Sequence, residues 1–287
     1  MKKTHLIILS LFLTSAIIIT ATVITYKALT VPKSKKYVVE TIEANSKGYI
    51  KVGIISDAQL PQEEKNLYGW DYATVMNGAD HLIKALKYYK SQNVDMIVFN
   101  GDMVNATGDY AAYSAYNKIL DYVYGEDRAE APHIIYPMGN HEFYGGNQEH
   151  NFYKSTGLPL NTRTIVNGYS FISISNSKLE KGDEELAESN DTLADGTYNE
   201  KRIEFLKEQL AAANTEDPNK PIFVFIHMPI SNIVNGGHWA TPQYEEIYSI
   251  LKEYPQAVVF TGHSHYCMSD ERAIMQKDFT VINTGTT

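Results

Sequence analysis

The sequence predicts an α/β protein: a four-layer sandwich with helices outside two facing sheets, preceded by an N-terminal transmembrane segment. Strands alternate with amphipathic helices along most of the chain, which implies sheets flanked by helices. Five of the strands run into Asp, Asn or His rather than into apolar residues. Near its start the chain also carries one long, mostly apolar run.

That run extends from Leu6 to Tyr26, 21 residues behind Met1-Lys2-Lys3. As a helix it reaches about 30 Å, enough to cross a bilayer. A cleaved signal would end in a small-x-small site. The best-placed match, Ile19-Thr20-Ala21, has Ile at its outer position, so residues 1–30 read as an anchor rather than a cleaved signal. Lys27, Lys33, Lys35 and Lys36 follow the run, and a Lys/Arg count alone would keep the rest of the chain inside. Long domains translocate largely regardless of such charges, and a basic start before an apolar run is an export signature. The expectation is a cell-membrane protein with its main domain outside the cytoplasm. Residues 31–48 are mostly polar and read as a stalk.

The remaining stretch, 49–287, is long enough to bury a large core as one domain. Net charge is −9, and no basic cluster follows the stalk, which argues against a nucleic-acid surface. Cys267 is the one cysteine, so no intramolecular disulfide forms. It reads as a small apolar filler. Nothing in the sequence speaks to oligomeric state.

Tyr49 to Ser56 alternates apolar residues and reads as a strand ending at Ser56-Asp57. A helix over Tyr72 to Lys90 puts Val75, Ala79, Leu82, Leu86 and Tyr89 on one face. Met96 to Phe99 is a continuous apolar run suited to a strand buried on both faces, and it stops at Gly101-Asp102. A second helix carries Tyr113, Tyr116, Leu120 and Val123, and a strand over Ile134 to Pro137 leads into Gly139-Asn140-His141-Glu142. Further strands are expected at Tyr169 to Ser175, Ile222 to Ile226, Ala257 to Phe260 and Phe279 to Ile282. Thr197-x-x-Glu200 predicts a capping box for a helix that buries Ile203, Leu206 and Leu210. Residues 178–195 read as an acidic loop, and Thr241 to Tyr254 contains a last helix.

Asp57 and Gln59, Asp102 and Asn105, Asn140 and His141, His227, and His263 with His265 therefore all follow strand ends. An Asp after a strand usually caps a helix or turns the chain, and a lone His is more often structural than a ligand. Their coincidence is the signal, because ligands gather at the carboxyl ends of strands in open α/β sheets. Oxygen and imidazole donors without thiolate suit Mn, Zn or Fe.

These stretches resemble the calcineurin-like metallophosphoesterase superfamily. They are Asp57-Ala58-Gln59, Gly101-Asp102-Met103-Val104-Asn105, Gly139-Asn140-His141-Glu142, Ile226-His227-Met228-Pro229 and Gly262-His263-Ser264-His265. The resemblance implies metal-dependent hydrolysis of phosphate esters on two divalent ions. One ion would lie on Asp57, Gln59, Asp102 and His265. The other would lie on Asp102, Asn140, His227 and His263, with Asp102 bridging. A water shared by the ions would attack phosphorus, and His141 would be the proton donor. Most members carry His where Gln59 stands; an amide oxygen is a harder, weaker ligand than imidazole, which favours Mn over Fe or Zn. The contrasting reading is a non-catalytic, membrane-anchored binding protein for a phosphorylated ligand, its metal site degenerate. His81, His133 and His150 read as structural. Tyr68, Trp70, Tyr144, His238 and Trp239 read as packing residues, with a substrate-side role as the alternative. Family members usually continue beyond the last strand, so closing strands of the second sheet are expected beyond Thr287.

Overall fold

The three apolar runs that precede Asp57, Asp102 and Asn140 pair with one another. In the computed structural model, which describes residues 36–44, 48–60, 72–105, 111–143, 148–177, 196–231, 233–237 and 240–286, they form a parallel sheet. Its order is β2 (Val52–Ile55), β3 (Met96–Phe99) and β4 (His133–Ile135). Parallel neighbours need a crossover. Helix α1 (Tyr72–Gln92) supplies it between β2 and β3, and α2 (Ala111–Tyr124) between β3 and β4.

The second sheet has seven strands, in the order β1 (Tyr37–Ile42), β5 (Asn161–Val166), β6 (Tyr169–Ile174), β7 (Ile222–Ile226), β8 (Ala257–Thr261), β10 (Thr280–Asn283) and β9 (Ile274–Gln276). Strands β6, β7, β8 and β10 run parallel to their neighbours in that series. The remaining helices are α3 (Gln148–Thr156), α4 (Glu200–Glu216) and α5 (Tyr244–Leu251).

Three apolar clusters define the layers. Leu82 and Leu86 of α1 and Tyr113, Tyr116 and Leu120 of α2 pack with Ile97 and Phe99 on one face of the small sheet. Met96, Val98 and Ile135 on its other face meet Phe171 and Phe225 of the large sheet. Ile203, Leu206 and Leu210 of α4 and Ile247 and Leu251 of α5 cover the far face of the large sheet. β3 is therefore buried on both faces, as its unbroken apolar run requires.

The structure corrects several expectations. Tyr37–Ile42, read within the 31–48 stalk, is strand β1 and pairs in parallel with β5. Its exposed and half-buried residues alternate, but Glu40 and the flanking lysines made the stretch look solvated. The helix expected to begin with a Thr197 capping box is capped instead by Asn199, whose side chain accepts from the Arg202 amide. The Thr197 hydroxyl donates to the Ser177 carbonyl. Strand β5 carries no apolar alternation, because Asn161, Thr162, Arg163 and Thr164 are polar yet buried. It joins β6 through Asn167-Gly168, both with positive φ (51° and 77°), the backbone of a tight hairpin turn. Cys267 is exposed rather than a filler. The expected membrane segment, the acidic loop 178–195 and Tyr68, Trp70, Tyr144, His238 and Trp239 lie outside the described residues. Among those described, no helix is long and apolar enough to cross a membrane.

The layer assignment has a direct test. Leu86 is fully buried under α1 and Lys84, on the same helix, is exposed. Leu86→Ala is expected to cost about 2–5 kcal/mol of unfolding free energy. Lys84→Ala should stay within about 0.5 kcal/mol of wild type in the same denaturant titration.

Candidate metal centre

The chain leaves β2, β3 and β8 by turns that ordinary residues rarely make. Asp57, Gln59, Asp102, His263 and His265 have φ of 57°, 43°, 54°, 66° and 55°, in the left-handed region. Each such residue costs about 1 kcal/mol or more, and such strain persists only where surrounding bonds over-determine it. Here the Asp57 amide donates to the Gly101 carbonyl (3.1 Å) and the Gln59 amide to the Asp102 carbonyl (2.9 Å). The strand-end loops of β2 and β3 therefore continue side by side and turn their side chains together.

Glycines make room for that approach. A Cβ on Gly101, itself at φ 84°, would lie 2.4 Å from Nδ1 of His227, and one on Gly139 would lie 2.2 Å from Oδ1 of Asp102. The glycines that precede the polar residues in these stretches are thus packing requirements of the side chains opposite.

Each sheet supplies half of the cluster. Asp57, Gln59, Asp102, Asn140 and His141 follow strands of the small sheet; His227, His263 and His265 follow strands of the large one. The halves meet at Asp102 and His227, whose Oδ2 and Nε2 are 3.0 Å apart, both fully buried. Oδ1 of Asp57 is 3.2 Å from Nε2 of His265 and 3.9 Å from Nε2 of His227. The backbone amide of His263 donates to the Asp57 carboxylate at 3.0 Å. Asp102, His227 and His263 bring one ligand atom each within 4.8 Å of one another. Asn140 is buried between Gly139, which lies against Asp102, and His141, whose amide donates to Oδ1 of Asp102 at 2.9 Å. Asp57, Asp102, His141, His227, His263 and His265 are joined by these contacts, Gln59 reaches His141 and His265 at 3.2 and 3.3 Å, and Asn140 is buried beside them in the chain. Asn105 contributes through its backbone, whose carbonyl accepts from Nδ1 of His141 at 2.8 Å.

The imidazoles are aimed by their second nitrogen. Nδ1 of His227 lies 2.8 Å from the Asn100 carbonyl, and only an N–H can satisfy that oxygen. Nε2 is left facing Asp102, and it would offer a lone pair there once its own proton is displaced. Among the described residues, Nε2 of His227 and Oδ2 of Asp102 are buried and face each other at 3.0 Å, and neither has a further hydrogen-bond partner. Two adjacent, buried ligand atoms with no other partner are what a divalent cation would complete. The oxygen and nitrogen donor set fits such an ion.

The electrostatics agree. Burial works against a charged His227, but Asp102 and then Asp57 outweigh it and push its pKa up to about 10. Burial likewise opposes ionised Asp102, yet His227 and then His141 hold its carboxyl well below the usual range. Burial and the neighbouring His227 push His263 down to about 4. Two carboxylates shut away from water thus demand positive charge between the sheets.

Sequence reasoning missed several supports. Asn100, fully buried before Gly101, donates its side-chain amide to the Phe260 carbonyl at 3.2 Å, tying β3 to β8 beneath the cluster. Thr286 donates to the Asp57 carbonyl at 2.8 Å, and the Ser56 hydroxyl donates to the Gly285 carbonyl at 3.0 Å. Fully buried Arg202 reaches the Ser175 carbonyl at 2.5 Å and Glu149 at 2.5 Å, behind the loop whose Asn176 amide donates to the Met138 carbonyl. None of these residues stands in a recognisable pattern. His133, read as structural, lies 3.2 Å from Glu40 of β1.

Comparisons with known proteins agree with this arrangement. The family described as calcineurin-like phosphoesterase matches residues 50–267. A dimetal phosphatase from Danio rerio is similar in structure, with a TM-score of 0.59 and 18% identity over 82% of this chain and 86% of that one. The protein TT1561 of Thermus thermophilus aligns with a TM-score of 0.51 and 13% identity, covering 83% of this chain and 90% of its own. At such identities the likeness is one of fold. No curated protein matches the sequence. The family match spans most of the chain and includes every strand-end cluster described above, and the chain belongs to the calcineurin-like phosphoesterase family.

Proposed function

We propose that this protein hydrolyses phosphate esters with a binuclear centre of divalent ions. The observation that carries the reading is the buried convergence of Oδ2 of Asp102 and Nε2 of His227, 3.0 Å apart with a His263 ligand atom within 4.8 Å, at the junction of two sheets. Asp57, Gln59, Asp102 and His265 would hold one ion, and Asp102, Asn140, His227 and His263 the other. Bound there, two such ions would supply a nucleophilic water at neutral pH and neutralise phosphoryl oxygens. The chain's own contribution is to fix Asp102 between the two groups of ligands and to orient the imidazoles through backbone carbonyls.

His141 is the proton donor in this reading. Its Nδ1 proton is committed to the Asn105 carbonyl, so the one it can deliver is on Nε2. That nitrogen faces the cluster, 3.9 Å from Oδ2 of Asp102. Asp102→Asn is expected to abolish activity and to lower metal content. His141→Ala should keep its metal while turnover falls by about 10²–10⁴. An aryl ester with a good leaving group should be spared more than an alkyl ester; equal losses on both would contradict the proton-donor role.

Gln59 belongs to the Asp57 and His265 end. Its amide lies 3.2 Å from Nε2 of His141 and 3.3 Å from Nε2 of His265, and a half-turn of the amide exchanges oxygen for nitrogen there. As a neutral oxygen donor it makes this the looser site, with Mn preferred over Zn and Fe. Titrating metal-free wild type and Gln59→His should show the variant holding Zn more tightly at one site. Identical titrations would remove Gln59 from the ligand set.

The apolar run Leu6 to Tyr26 supports a membrane anchor with the domain outside the cytoplasm. Fractionated cells should yield the protein in the membrane with its N terminus intact. A soluble product starting after Ala21 would overturn this assignment.

A further inference from the structure

Glu142 closes the Gly139-Asn140-His141-Glu142 stretch, and no part of the reaction above uses it. It is fully buried, and five donors surround its carboxylate. Oε2 accepts from the amides of Asp102 at 2.9 Å and Gly139 at 2.7 Å. Oε1 accepts from the amide of Met103 at 2.9 Å, from the Val104 amide at 3.4 Å and from the Tyr136 hydroxyl at 2.7 Å. Three successive amides of the loop carrying Asp102 therefore converge on one side chain of the loop carrying Asn140 and His141. The link is reciprocal, because the His141 amide donates back to Oδ1 of Asp102.

We infer that Glu142 is a positioning residue for the metal centre, holding Asp102 in its left-handed conformation and in register with Asn140. The inference rests on the reading of Asp102 as the bridging ligand. A carboxylate is the group that can do this, since it accepts at every lone pair and has no donor to clash with the five that face it. An amide would turn its NH₂ either on the Asp102 and Gly139 amides or on the Met103, Val104 and Tyr136 group. With that clasp released, Asp102 is free to leave a backbone conformation that is strained by itself (φ 54°). Ions held there would then lose the placement of their shared ligand, without any ligand having been changed.

The test is a Mn titration of metal-free wild type, Glu142→Gln and Glu142→Asp, with thermal unfolding of the metal-free proteins measured in parallel. Wild type should take up two Mn. Glu142→Gln should bind Mn about 10–100-fold more weakly, the usual cost of losing a group that orients a ligand. Glu142→Asp keeps the charge and should recover part of that loss. A merely structural carboxylate would lower the melting temperature and leave the Mn affinity of the folded variant unchanged, which would overturn the inference. Where Glu142→Gln fails to fold, Glu142→Asp and Tyr136→Phe each remove part of the pattern, and wild-type Mn affinity in both would overturn it equally. Wild type that binds no Mn would bring down the binuclear reading and this inference together. Two Mn on both wild type and Glu142→Gln, with equal affinity, would bring down the inference alone.

Discussion

The contact between Asp102 and His227 is the constraint on which the rest of this structure depends. One residue ends a strand of the small sheet, the other a strand of the large sheet, and their facing atoms are 3.0 Å apart, shut away from bulk solvent. Apolar packing between the sheets, through Val98, Ile135, Phe171 and Phe225, sets how far apart the two strand ends lie. The polar ties add direction to that spacing. Asn100 spans the gap to the Phe260 carbonyl, and its own carbonyl orients the His227 ring. A buried ion pair contributes little to stability, but it is costly to leave half made. This one is better understood as the floor of a site than as a fold stabiliser.

Backbone strain follows from the same constraint. These side chains can meet at one point only if the chain turns sharply at the strand ends, and five non-glycine residues accept positive φ to do so. Hydrogen bonds between neighbouring loops hold those turns, and Gly101 and Gly139 stand where a Cβ would strike an opposing imidazole or carboxylate. Stability is given up locally so that these side chains are held in one arrangement, as a preorganised site requires.

Much of this was legible in the sequence. Strands β3 and β7 stand where their unbroken apolar runs predicted, and the buried faces of α1, α2 and α4 carry the residues expected from helical spacing. The strand-end residues were legible because chemistry needs particular residue types there. Elements outside such patterns were not. Strand β5 buries Thr162, Arg163 and Thr164 through partners such as Ser173, Ser170 and Glu216 that no local pattern announces. Strand β1 pairs with a segment more than a hundred residues away, and its polar neighbours disguised it. Arg202 and Asn100 act by reaching backbone carbonyls from distant strands, and a carbonyl has no residue type to read. Glu142 stood in plain view within a recognised stretch, but only its converging donors show what it holds.

The central claim is that two ions share Asp102 between the halves of this cluster. Anomalous diffraction from crystals of the protein loaded with Mn tests it most directly. The account predicts two anomalous peaks flanking the Asp102 carboxylate, one beside Asp57 and His265, the other beside Asn140, His227 and His263. A single peak, or peaks that leave Asp102 bound to neither ion, would contradict it.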